Sequence, residues 1–214
     1  MLPKLVVEAI GTFFLVFTVG QVSIGADALM SALAPVAIGS VLMVMVYAGG
    51  HVSGGHYNPA VTLAVWTRGK AEPREVFPYW IAQIIGAILA VLATRYLKAG
   101  TAVDPLAVEV GPALVAEFLF TFALCYVVLN VATAPATEGN SNYGLAIGFT
   151  VLVGAYAVGG ISGGAFNPAV AIGITGMGMS APANLWIFLV ADLLAAVAAG
   201  LLFKRLDLGN QEAA

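Results

Sequence analysis

Shifted by 109 positions, this sequence lies over itself. Residues 36–65 read VAIGSVLMVMVYAGGHVSGGHYNPAVTLAV and residues 145–174 read LAIGFTVLVGAYAVGGISGGAFNPAVAIGI, with 14 of the 30 positions identical. The same shift pairs Glu8 with Glu117, Thr12 with Thr121, Tyr47 with Tyr156 and Gln83 with Asp192. A match held in one register over that length means that one structural unit is built twice. The chain is therefore read as one domain, 1–214, made of two alike halves, about 1–105 and 106–214.

The solvent for these halves is lipid. Of the 214 residues, 61% are hydrophobic and 9% charged, against roughly 25% charged in a soluble domain. That excludes a water-soluble globule, and disorder is excluded because it needs the opposite balance. Six runs approach the roughly 20 apolar residues that cross a bilayer as a helix: 3–25, 32–50, 77–98, 110–133, 141–160 and 184–204. Each half holds three, an odd number, so the second half enters the membrane from the opposite side and the repeat is inverted.

Two further apolar runs, 58–67 and 167–176, are too short to span. Each opens Asn-Pro-Ala, which places Asn at a helix N-cap and Pro at the first helical position, where its missing N–H costs nothing. Two half-helices entering from opposite faces are tolerated at membrane depth only if they lie buried in protein or line a cavity. The predicted fold is all-α: six transmembrane helices plus two re-entrant half-helices, with a pore at the repeat interface.

Charge and sulfur narrow the partners. The net charge is −3 and the 8 basic residues are scattered, so no stripe can neutralise a row of phosphates and nucleic acid is not expected. Cys125 is the single cysteine, and no Cys and His pair has zinc-site spacing, so neither a metal nor a cofactor is expected. The 25 glycines suit close helix crossings in lipid. The start Met1 to Lys4 and the Ala26-Asp27-Ala28 triplet resemble a cleaved signal, but Glu8 would interrupt its apolar region, so run 3–25 is read as a spanning helix. Lys4, Arg68, Lys70, Arg74, Lys204 and Arg205 fall on one side and Arg95 and Lys98 on the other, which predicts both termini cytoplasmic.

The paired boxes SGGHYNPAVT, 53–62, and SGGAFNPAV, 162–170, resemble those of the aquaporin, or major intrinsic protein, family along essentially the whole chain. The resemblance implies two half-helices meeting at mid-membrane in a passive channel, not an enzyme, usually a homotetramer with one pore per subunit. It implies that the carbonyls of Gly54, Gly55, His56, Gly163, Gly164 and Ala165 form an acceptor ladder leading to Asn58 and Asn167. It also places a selectivity ring at Ile38, Ala155, Gly164 and Val170.

Most members carry arginine where this chain has Val170, and glycerol facilitators usually follow it with aspartate, here Ala171. Valine removes a fixed set of donors and a positive charge. The ring should be wide and apolar, passing water and small uncharged solutes such as glycerol, urea or neutral metalloid acids like arsenous acid. Tyr156 adjoins Ala155 and would narrow the ring if it turned inward. The setting expected is the plasma (inner) membrane, with the lipid bilayer as partner.

Other readings compete. Glu8 and Glu117 could relay protons or bind the amides of the re-entrant loops, and Gln83 and Asp192 could assist them; an acid at 192 is unusual for the family. Gly160 to Gly164 fits the G-x-S-x-G serine motif, which would make Ser162 the nucleophile of an intramembrane protease, although both histidines precede it. A non-conducting junctional protein of the same fold, and an ion leak through the arginine-free ring, are the remaining alternatives.

Overall fold

The computed structural model describes residues 1–209, and the regular elements among them are helices. Six long helices are present: α1 (Leu2–Ser23), α2 (Ala28–Ser53), α4 (Pro73–Leu97), α5 (Val110–Thr133), α6 (Tyr143–Ser162) and α8 (Leu185–Arg205). Between them lie two short ones, α3 (Pro59–Arg68) and α7 (Pro168–Gly176). At 1.5 Å per residue, 20 to 26 residues reach about 30 Å or more, enough to cross a bilayer. The side chains turned outward from the bundle are apolar, among them Ile81, Ile85 and Leu92 of α4 and Val115 and Leu119 of α5. A surface of that kind is stable against acyl chains and not against water.

Local chemistry sets the ends. Asp27 caps α2 by accepting from Met30 N at 2.7 Å, so the helix begins at Ala28, earlier than the apolar run alone suggests. Pro73 occupies the first turn of α4, where no N–H is missed. As a result, α4 begins four residues before the apolar run 77–98, and only a few residues join α3 to α4.

The halves mirror each other in packing. α1 lies against α2 and α4 as α5 lies against α6 and α8, and each short helix crosses to the other half, α3 onto α8 and α7 onto α4. The crossing of α2 with α6 centres on Gly39 and Gly148, equivalent residues in the repeat. A Cβ on Gly39 would stand 2.7 Å from the carbonyl oxygen of Gly148, and one on Gly148 would overlap that of Gly39. Absence of both side chains lets the backbones touch. This brings Ile38 and Ile147, each one residue earlier, to the interior.

Candidate functional site

The two short helices meet at their N-termini. Asn58 accepts from Ala60 N at 2.8 Å and Val61 N at 3.4 Å through Oδ1, and Asn167 does the same to Ala169 N and Val170 N at 2.9 and 3.5 Å. Their amide nitrogens reach across. Asn58 Nδ2 donates to the carbonyl of Phe166 at 2.8 Å, and Asn167 Nδ2 donates to that of Tyr57 at 2.9 Å. Each amide thus keeps one N–H for other acceptors, since an NH2 carries two.

Tyr57 and Phe166 present those carbonyls because their backbones are left-handed, with φ of 49° and 48°. Such a conformation costs on the order of 1–3 kcal/mol in a non-glycine residue. Their side chains are held on glycine: a Cβ at Gly11 would overlap the Tyr57 ring, one at Gly49 its hydroxyl oxygen, and one at Gly154 would lie 2.7 Å from Phe120 and Phe166.

A buried carboxylate ties down each re-entrant loop. Glu8 accepts from Ser53 Oγ at 2.7 Å, His56 N at 3.0 Å, Tyr57 N at 2.6 Å and Gln83 Nε2 at 2.8 Å. Glu117 accepts from Ser162 Oγ at 2.6 Å, Ala165 N at 3.0 Å and Phe166 N at 2.7 Å. The amides at the end of each re-entrant loop are thereby committed to a carboxylate. Asp192 accepts from Thr121 Oγ1 at 2.7 Å through one oxygen, while Oδ2 meets no protein donor.

Ser162 is therefore a clasp. Its hydroxyl proton goes to Glu117, its oxygen accepts from Gly164 N at 3.1 Å, and it is buried. Ser53 makes the equivalent pair of bonds to Glu8 and Gly55 N. The protease reading is corrected on this ground: Ser162 is buried, both its proton and its oxygen are spent on holding the re-entrant loop, and Ser53 does the same in the other half, so no serine is presented to a substrate.

Around the two asparagines runs a narrow cavity of about 80 Å³, space for several waters at roughly 10–15 Å³ each. Asn58, Asn167, Ile38, Ala155, Gly164, Val170, Gly55, His56, Gly163 and Ala165 all line it. Gly54 does not; it lies on a wider vestibule of about 740 Å³ at one end, where His56 is shared with the narrow cavity. A second vestibule of about 370 Å³ adjoins the other end, sharing Ser23, Gly163, Ile174 and Met179. α3 runs from the centre toward the first and α7 toward the second.

Tyr156 is turned away from the cavity, 54% exposed, with its hydroxyl donating to the carbonyl of Ala32 at 2.8 Å. The sequence reading also passed over several liners, including Leu15, Leu42, Val128, Ile147 and Met179. For the long helices no signal exists for them, because a helix apolar on every side has no pattern that marks which face turns inward.

A sequence profile of the major intrinsic protein family matches residues 1–205. The chain belongs to that family. Aquaporin NIP1-1 of Zea mays is 36% identical over 219 residues, covering 98% of this chain and 77% of its own length. Nodulin-26 of Glycine max is 37% identical over 214 residues, covering 92% and 75%. In fold, the chain is similar to the X-ray structure of the aquaglyceroporin from Plasmodium falciparum, with a TM-score of 0.81 at 20% identity over 96% of each chain. Proteins of the major intrinsic protein family are transmembrane channels for water and small solutes, not enzymes, and the half-helix and cavity geometry described above is that of a channel.

Proposed function

We propose that this protein is a passive channel whose selectivity ring is Ile38, Ala155, Gly164 and Val170, wide enough for small uncharged solutes besides water. Glycerol, urea and neutral metalloid acids such as arsenous acid are the candidate cargo. The observation that carries this reading is chemical: none of the four residues bears a side-chain hydrogen-bonding group or a charge, and the family's usual arginine position holds Val170. A solute that needs several hydrogen bonds at once is disfavoured in such a ring, while a compact neutral one loses little.

Charge discrimination then falls to the centre. Each half-helix N-terminus carries about half a positive charge. At an effective dielectric near 20, a cation about 4 Å from both would meet roughly 2 kcal/mol from each, before any dehydration cost. The remaining N–H of Asn58 and of Asn167 and the carbonyls of Gly55, His56, Gly163, Gly164 and Ala165 offer a neutral solute partners along the way, with Gly54 at the vestibule. The distribution of Lys and Arg supports both termini cytoplasmic, in a protein we place in the plasma (inner) membrane, and the family resemblance supports a homotetramer with a pore in each subunit.

Stopped-flow light scattering on proteoliposomes with water, glycerol, urea and arsenous acid tests the reading. Fluxes of water and at least one of the larger solutes should exceed those of empty liposomes. Val170→Arg should then cut solute flux more than water flux; an equal loss of both would remove Val170 from the ring.

A further inference from the structure

Four residues wall both the narrow cavity and the smaller vestibule: Ser23, Gly163, Ile174 and Met179. They stand where the two spaces meet, with Ile174 one turn beyond Val170 on α7, and two of them have chemistry that the ring itself lacks. Ser23 ends α1, and its Oγ is the one side-chain hydroxyl among the described residues lining the narrow cavity. Met179 is half-buried, whereas Met177, two residues earlier, is buried at 4% exposure and is not among the cavity liners.

The backbone of Met179 is fixed. Its N–H donates to Ile174 at 2.9 Å, and its carbonyl accepts from Leu106 N at 2.9 Å. The loop after α7 is thereby tied to the loop before α5, while the side chain keeps three rotatable bonds and a polarizable sulfur. A thioether on a rigid backbone can retract or advance into a throat without disturbing the fold.

We propose that Ser23 and Met179 form a second selectivity ring outside the apolar one. Ser23 Oγ supplies a hydrogen bond that valine at position 170 cannot, and the Met179 side chain sets the width. The solute class this fits is small, uncharged and two-faced: a polyol or amide that gives one polar edge to Ser23 and the Gly163 carbonyl, and an apolar edge to Met179 and Ile174. The assignment deepens the channel reading above and rests on it.

The test uses the full chain in proteoliposomes, with glycerol, urea and water as probes. Ser23→Ala should lower glycerol and urea permeability about threefold to tenfold, the effect of one lost hydrogen bond, with water changed less than about twofold; Ser23→Thr should restore it. Met179→Ala should raise glycerol flux severalfold relative to water, and Met179→Leu, similar in volume, should not. If Ser23→Ala and Met179→Ala both keep the wild-type solute-to-water ratios while Val170→Arg shifts them, the second ring is refuted and the apolar ring stands. If Val170→Arg leaves the ratios unchanged as well, both assignments fall. A wild-type protein that conducts nothing would overturn the channel reading with them.

Discussion

Asn58 and Asn167 are each bonded to the loop of the opposite half: Asn58 Nδ2 to the Phe166 carbonyl at 2.8 Å, Asn167 Nδ2 to the Tyr57 carbonyl at 2.9 Å. The centre of the channel is therefore one hydrogen-bonded unit and not two helix tips placed near each other. Each asparagine caps its own helix with its oxygen and fastens the other half with its nitrogen. The left-handed backbone of Tyr57 and Phe166 is the conformation that aims those carbonyls across the repeat axis.

Replacing Asn58 by aspartate keeps the capping oxygen, removes the donor to Phe166 and adds a negative charge between the two positive helix ends. Asn58→Asp should lower water permeability severalfold. The double variant Asn58→Asp with Asn167→Asp should also admit cations, because the added charge opposes a barrier of about 2 kcal/mol per helix end. Planar-bilayer conductance in a potassium gradient measures this, and a double variant as tight to cations as the wild type would count against the dipole barrier.

Glu117→Gln places an amide NH2 or a weaker acceptor where Ser162 Oγ, Ala165 N and Phe166 N all donate. At least one buried donor is then left without a partner, at about 1–3 kcal/mol. Glu8→Gln should behave alike, since Ser53 Oγ, His56 N and Tyr57 N donate to it in the same arrangement and Gln83 Nε2 adds a fourth bond. Heating the detergent-purified protein and following the monodisperse fraction by size-exclusion chromatography should show a lower melting temperature for both. Unchanged melting with lost proton flux would instead favour a relay.

Asp192 and Gln83 occupy equivalent positions with unequal chemistry. Gln83 Nε2 donates to Glu8 and to Thr62 Oγ1 at 2.8 and 3.1 Å, whereas Asp192 sets a second carboxyl, with no N–H to give, beside Glu117; each side chain leaves one oxygen, Gln83 Oε1 and Asp192 Oδ2, without a protein donor. Asp192→Asn supplies an N–H in that place and should raise the melting temperature, by about 1 kcal/mol of stability. The reverse change, Gln83→Glu, should lower it. A drop with Asp192→Asn would mean that the acid itself is required there.

The inverted repeat, the spanning runs and the Asn caps are legible in the sequence because each rests on local chemistry: a register of identities, about 20 apolar residues, or Asn-Pro at a helix start. Helix rotation is not. In α2, α5 and α6 apolar residues face lipid, neighbouring helices and the cavity alike, so no periodicity marks Leu42, Val128 or Ile147 as liners. The bonds from Asn58 and Asn167 to Phe166 and Tyr57 link residues 108 and 110 positions apart, and no pattern within either box announces them. The apolar run 77–98 starts later than α4 for the opposite reason, since proline and charge at Pro73 to Glu75 favour the first turn of a helix as much as a loop.

Ala155 and Tyr156 differ by one residue and face different surroundings. The Tyr156 hydroxyl bonds the Ala32 carbonyl of α2 at 2.8 Å, three residues before Pro35, while Ala155 lines the narrow cavity. Tyr47, its equivalent, makes the reciprocal contact: its hydroxyl donates to Ser141 O and accepts from Leu145 N at the start of α6, both at 3.1 Å. The two tyrosines thus brace the α2–α6 crossing from either end and hold α6 in the rotation that turns Ala155 inward. Tyr156→Phe, which loses only the hydroxyl, should leave the glycerol-to-water ratio within about twofold of wild type and lower stability by about 1 kcal/mol. Ala155→Phe should fill the ring and reduce glycerol and urea flux at least tenfold while water falls less. The same proteoliposome panel separates the two, and a Tyr156→Phe protein that lost solute selectivity while Ala155→Phe kept it would assign the ring to the wrong residue of the pair.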